Sequence, residues 1–309
     1  LQKYAAMLRS HVDEKVYGAF MFSTATTGRA SSKLVQLQNM KRPIYDDDTA
    51  ELMIERIKAG YDLKKMAGDI SAASMLEYLV RPTIYCDDGM TVMDYSSVEY
   101  ITLAYLAGNE EAMDDYRKGV DAYKVLAAKI FDTTLNSVTK EERQAAKIVI
   151  LAAGFGGGKG AVQNMATAYG VQFTNDEAQA LIEGYRNTHP YEVQFWYDTR
   201  DAIWDAINNP GQGFFVAKGT IEFQSDGSNL WVELPSGRLL RYFDVKLEMV
   251  DMPWDEEALA ATYMNTKVSP KQGEQWPRAT LSHIVAVENI CQAFANDLLR
   301  DALAVCEQE

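Results

Sequence analysis

Thr139-Lys140-Glu141-Glu142-Arg143-Gln144-Ala145-Ala146-Lys147-Ile148-Val149-Ile150-Leu151-Ala152-Ala153-Gly154-Phe155-Gly156 is the stretch on which the reading of this chain turns. Thr139 followed three residues later by Glu142 forms a capping box, which predicts a helix starting at Lys140. The run GFGGGKG from Gly154 ends it, because glycine carries a high helix cost. Between these limits Arg143, Lys147, Leu151 and Phe155 recur every four residues and share one face. Two cations so spaced repel by a few tenths of a kcal/mol, about 0.2–0.5. An anion such as a triphosphate lying between them would explain the pair; a solvated surface face is the plainer alternative. The glycine run is not a phosphate-cradling P-loop, because Gly160 follows Lys159 where Ser or Thr is required and no strand precedes it.

Upstream, Thr91-Val92-Met93-Asp94-Tyr95-Ser96-Ser97-Val98-Glu99 reads as an apolar strand ending in an acid, with a second acid opening a helix. A carboxylate at a strand end suits a divalent cation that acts on a phosphoryl group. It also suits a helix cap. Further upstream, Thr26-Thr27-Gly28-Arg29-Ala30-Ser31-Ser32 and Gln36-Leu37-Gln38-Asn39 form a polar loop.

Around these segments the chain reads as mixed α/β. To about Pro43 we expect a helix, an extended run near Tyr17–Phe22 and then the polar loop. Helical periodicity follows over Thr49–Leu79, Ser97–Gly108, Asp114–Phe131, Lys140–Ala153, Gly160–Tyr169, Asn175–Arg186 and Pro190–Asn208. From Phe214 to Met249 the pattern alternates, and Asp226-Gly227 and Ser236-Gly237 predict antiparallel hairpins. Asp255-Glu256-Glu257 reads as a helix start, within a polar loop to Gln275, and a final helix runs from His283.

Composition sets outer limits. The formal charge of −14 argues against a nucleic-acid partner if taken as a whole. Its distribution qualifies that: Lys3, Arg9, Lys15, Arg29, Lys33, Lys41 and Arg42 face only Asp13 and Glu14 before Pro43. A basic stretch on an acidic chain fits one face touching phosphates, or a solvated segment. Cys86, Cys291 and Cys306 suggest no disulfide framework, and none stands at zinc-ligand spacing from His11, His189 or His283. Any metal is expected to be a hard cation on carboxylates. No apolar run reaches the roughly 18 residues of a membrane span, and the expected setting is the cytoplasm.

The helix pattern R-x-x-x-K-x-x-x-[aromatic or Leu]-x-x-x-[Y/F]-G resembles the fingers helix of family A DNA polymerases, in the bacteriophage branch. The resemblance extends over nearly the whole chain. It implies that Arg143 and Lys147 hold the phosphates of an incoming dNTP, that Leu151 packs on its sugar and base, and that Phe155 supports the templating base. Leu151 stands where most members have Phe or Tyr, and Phe155 where most have Tyr. Asp94-Tyr95-Ser96-Ser97-Val98-Glu99 resembles the family's D-Y-S-x-[IV]-E. By that resemblance Asp94 is the first catalytic Mg2+ ligand of a two-metal site and Glu99 the gate against a ribose 2′-hydroxyl. Tyr95 and Tyr123 border the nucleotide. The TTGRASS segment with Gln38 and Asn39 resembles a part that touches primer-template DNA, Arg29 reaching the minor groove, although Gln36 and Val35 depart from the usual Asn and Pro. VENICQAFANDLL, Val287 to Leu299, matches the phage branch and places Asn289 and Gln292 towards the DNA; the segment TLSHIVA before it lacks the usual Lys.

The implied architecture is a right-hand palm with helical fingers and at most part of a thumb. Residues 1–110 would hold the thumb stub and first palm motif, 111–212 the fingers, and 213–309 the palm continuation. The family's last motif, H-D-E, is not found, so the remaining carboxylate is expected either on a second polypeptide of a split polymerase, the reading we favour, or on a further part of a longer polypeptide of which this sequence is a piece. The alternative is an inactive DNA-binding or structural subunit that keeps the fold.

Overall fold

A computed structural model describes residues 9, 11–13, 15–17, 20–23, 25–33, 39–84, 92–251, 257–266 and 275–307. Gln38 lies outside the described residues, as do Gln36, Val35, Asp255 and Glu256. The chain divides into two compact units, Leu1–Tyr95 and Ser96–Glu309.

In the first unit the described N-terminal residues form two short antiparallel pairs. Strand β1 (His11–Val12) pairs with β2 (Lys15–Val16), and β3 (Phe20–Met21) with β4 (Ser31–Ser32). Part of the polar loop is thus drawn into a hairpin. Helices α1 (Asp47–Lys58), α2 (Leu63–Ala67) and α3 (Ala72–Leu79) follow. Asp46 caps α1, its carboxylate accepting the Thr49 N–H at 2.8 Å, and Asp47 and Asp48 sit where the helix dipole favours anions. Ala50, Met53, Ala67, Met75 and Leu79 form a small core of their own. The strand expected at Thr91–Tyr95 does not form over residues 92–95, where Val92 is 82% exposed. A strand lasts only when another takes up its backbone N–H and C=O groups, and no described residue pairs with this one.

The second unit joins a helical array to one sheet. Its helices are α4 (Val98–Ala107), α5 (Glu110–Arg117), α6 (Ala122–Ile130), α7 (Lys140–Ala153), α8 (Lys159–Ala168), α9 (Asn175–Thr188) and α10 (Pro190–Asn208). The single helix expected over Asp114–Phe131 is broken at Gly119, whose φ of +70° reverses the chain. Asp121 then caps α6. Strands β5 (Gly213–Val216), β6 (Ile221–Ser225), β7 (Leu230–Glu233), β8 (Leu239–Asp251), β9 (Glu257–Met264) and β10 (Arg278–Thr280) pair antiparallel in the order β10-β9-β8-β7-β6-β5. Long β8 serves both halves of this sheet: its start pairs with β7, and after an irregularity between Phe243 and Lys246 it pairs with β9. Asp244 at φ +47° marks the bend. Glu257 opens a strand and not the expected helix; the pairing that β8 offers outweighs the helix propensity of EALAA.

Helix α11 (His283–Cys306) closes the unit. One continuous core includes Ile148 and Val149 of α7, Phe195 of α10, Val232 of β7 and Ile290 of α11. The turn Leu234-Pro235-Ser236-Gly237-Arg238 docks on α11: Arg238 Nε donates to Asp297 at 2.6 Å, its Nη2 donates to the Ala293 carbonyl at 2.8 Å, and the Ser236 hydroxyl donates to Asp297 at 2.6 Å. Two segments far apart in sequence are thereby locked to each other.

Candidate functional site

Helix α7 begins as its sequence dictates. The Thr139 hydroxyl accepts the Glu142 N–H at 3.2 Å while the Glu142 carboxylate accepts the Thr139 N–H at 2.8 Å. Ala145, Ala146, Ile148, Val149, Ile150 and Ala153 go into the core. That leaves Arg143, Lys147, Leu151 and Phe155 half-buried on the remaining face, with Phe155 packed against the core.

Each cation of that face rests on a tyrosine ring. The Arg143 guanidinium lies 5.1 Å from the centre of the Tyr123 ring, and Lys147 Nζ lies 5.1 Å from that of Tyr169. Such contacts are worth about 0.5–1 kcal/mol at accessible sites. Arg143 Nε also donates to Asp121 at 2.7 Å. The repulsion read from the sequence is thus relieved in part by rings and a carboxylate. Sequence reasoning missed Asp121, although an Asp two residues after Gly119 is a readable cap signal. It missed Tyr169 as well, and only packing brings that ring to α7.

Past α7 the chain turns sharply. Gly156 has φ +100°, and a Cβ at Gly157 would collide with the Ala152 carbonyl. The indole N–H of Trp196 on α10 donates to the Gly154 carbonyl at 2.9 Å and pins the helix end next to Phe155. A Cβ on Gly156 would come within 3.3 Å of Ile284 and 3.4 Å of His283, so this turn also approaches the start of α11.

Glu99 is half-buried in the first turn of α4. Burial first, then the charges of Glu99 and Glu288, raise the Cys291 thiol, which puts Glu99 within electrostatic reach of α11. On α11, Gln292 is half-buried and its amide donates to Glu288 at 3.0 Å. Asn289 is buried, and its amide donates to the Tyr242 hydroxyl at 3.0 Å. The Asn289 side chain is therefore turned into the fold, away from the surface that a DNA contact needs. Asp94, Tyr95, Arg29 and Asn39 are exposed residues of the first unit.

A cavity of about 640 Å³ opens beside Arg143, bounded by Ser96, Tyr100, Asp121, Tyr123 and His189 among others. His189 stacks on Tyr185 with ring centres 4.3 Å apart. Its Nδ1 faces the Tyr185 carbonyl at 3.2 Å and its Nε2 the Tyr100 hydroxyl at 3.3 Å. A neutral ring carrying its proton on Nδ1 satisfies both. Burial holds His189 down at about 4 and pushes up the Glu192 carboxyl, which accepts from the Asn109 amide at 2.8 Å. Because the unfolded chain's histidine protonates near 6.5, it binds the proton before the folded chain does. Stability contributed by neutral His189 is full above pH 6.5 and is lost as pH falls towards 4, by about 3 kcal/mol in all. Urea midpoints measured at pH 7 and 4.5 should therefore fall steeply for the wild type and less for His189→Gln. His283, also lowered by burial, and shifted carboxyls such as Glu192 and Glu248 contribute to the slope that remains; equal slopes in the two proteins would reject the assignment.

Among the described residues no group of three or more His, Cys, Asp or Glu gathers into a possible metal centre. Exposed Asp94 offers a single carboxylate, and two divalent ions about 4 Å apart need more. The described residues do not fit a two-ion centre by themselves. No described helix is long and apolar enough to cross a membrane.

The fold is a mixed helical and antiparallel-sheet unit that carries a paired-cation helix, and comparison with known proteins gives that arrangement its family. The description DNA polymerase family A matches residues 1–205. A DNA polymerase of Bacillus phage SP02 is 33% identical over 308 residues, 97% of this chain and 45% of the phage protein. DNA polymerase I of Pseudomonas aeruginosa is 27% identical over 186 residues, 60% of this chain and 17% of that one. The POL domain of Pol1 from M. smegmatis, solved in complex with DNA primer-template and dNTP, aligns over 94% of this chain and 36% of that one, with TM-score 0.47 and 15% identity. The chain belongs to DNA polymerase family A. It spans less than half the length of the phage relative.

Proposed function

We propose that the chain takes part in template-directed DNA synthesis, with the exposed face of α7 receiving the triphosphate of an incoming dNTP. The observation that carries this reading is the pair of cations, Arg143 and Lys147, set one turn apart and each seated on a tyrosine ring. Seating fixes two flexible side chains in advance, which lowers the ordering cost of binding a polyanion. Leu151 and Phe155, further along the same face, would meet the sugar and the base. Glu99 would exclude a 2′-hydroxyl, and Tyr123, beneath Arg143, and Tyr95 would border the nucleotide. Arg29, Gln38, Asn39 and Gln292 are proposed to touch primer-template DNA. Asp94 is proposed as one carboxylate ligand of Mg2+, with further ligands from outside the described residues. The phage relative supports a setting in the cytoplasm of a bacterial cell.

Primer extension with Mg2+ and dNTPs tests the proposal. The chain is assayed alone, then with proteins that co-purify with it, and each time beside Asp94→Ala. Extension that Asp94→Ala abolishes is the expected result. Extension that appears only with an added protein would establish the second polypeptide expected from the sequence. DNA binding without extension in any combination would favour an inert scaffold.

A further inference from the structure

We propose that Asp121 is a positioning residue that fixes the Arg143 guanidinium for a triphosphate, an inference that rests on reading Arg143 as a phosphate ligand. Asp121 divides its carboxylate between two tasks. Oδ1 accepts the backbone N–H groups of Tyr123 at 3.0 Å and Lys124 at 3.4 Å, which anchors the carboxylate to the start of α6. Oδ2 accepts Arg143 Nε at 2.7 Å, which anchors the guanidinium to the carboxylate. Tyr123, whose N–H is one of those bonded, supplies the ring 5.1 Å from the guanidinium. One cap therefore sets the edge of the guanidinium and, through Tyr123, its plane.

The atom used is informative. A carboxylate that competed with phosphate would take the fork of two parallel N–H bonds, the strongest arrangement open to it. Asp121 bonds Nε instead and leaves the Nη pair to address an anion. Both residues border the 640 Å³ cavity, and the side chains of Arg143 and Asp121 retain 38% and 32% of their exposure, so a ligand can reach them. Arginine has several rotatable bonds and loses much entropy when ordered. An arginine held on two sides has lost it before the ligand arrives.

The test uses the 309-residue chain, with inorganic tripolyphosphate titrated at constant salt. Asp121→Asn keeps an oxygen for the α6 cap and loses the acceptor that faces Arg143, since asparagine is itself a good cap. It should weaken tripolyphosphate binding by about tenfold, the scale on which losing an orienting partner acts at other ligand sites, with the unfolding midpoint unchanged. Asp121→Asn combined with Arg143→Ala should bind no more weakly than Arg143→Ala alone. Binding that is unchanged or tighter in Asp121→Asn overturns the proposal, and tighter binding would make Asp121 a competitor. A wild type indifferent to Arg143→Ala would instead remove the reading of Arg143, and the positioning role with it. A second measurement needs no ligand: the Arg143 Nε–H resonance should be slowly exchanging in the wild type and fast in Asp121→Asn, and equal exchange in the two would equally reject the role.

Discussion

Asp297→Ala should destabilise the Ser96–Glu309 unit by about 3 kcal/mol, the scale on which a buried ion pair loses one partner. Asp297 is 8% exposed and takes hydrogen bonds from Arg238 and Ser236, both at 2.6 Å. Alanine would leave a guanidinium with only a quarter of its surface exposed facing an empty space. The bond to the Ala293 carbonyl, made to a neutral group, does not offset the charge. The loss should appear as a lower denaturant midpoint with the slope unchanged. Asp297→Asn, which keeps the volume and one acceptor, should lose less. A change under about 1 kcal/mol for alanine would mean that water satisfies Arg238 as well as the carboxylate does. On the proposed role of Gln292 in touching DNA, function would follow stability here, because this pair ties the β7–β8 turn to the helix that bears Gln292.

Lys147→Ala should have the opposite profile, a large functional loss with little change in stability. Lys147 is half-buried, and its one ring contact, to Tyr169, is worth less than about 1 kcal/mol. A charge-assisted bond to a phosphate oxygen is worth about 1.5–3 kcal/mol, which corresponds to a loss of roughly tenfold to a hundredfold in kcat/KM for dNTP. Affinity for primer-template DNA should stay within about twofold, since a triphosphate contact adds nothing to duplex binding. Equal losses in nucleotide use and DNA affinity would place Lys147 on the nucleic-acid backbone and reject its role on α7.

Particular elements show which signals the sequence carried. Helix α7 was legible from end to end because its determinants are local: a reciprocal cap, a four-residue repeat and a glycine stop. Helix α10 runs from Pro190 to Asn208 as its pattern predicts, with proline in its first turn. The hairpins after Gly213 were announced by turn pairs and alternation. The failures have a common physical origin. Residues 92–95 have strand-like composition and no ladder, and Glu257–Ala261 has helical composition and a ladder from β8. In both, the outcome depends on a partner strand that local sequence does not encode.

At the site the same division holds. Local sequence determined which residues α7 presents, because one helical turn brings every fourth side chain to one face. It determined the family too, since the motif spacings survive in the chain. Tertiary structure decided what those side chains meet. It set Tyr123 and Asp121 around Arg143, placed Tyr169 against Lys147, and turned Asn289 inward onto Tyr242. The reason is one of range: a helix is fixed by bonds four residues apart, whereas ring contacts and buried amide bonds join residues that only the packed core brings within reach.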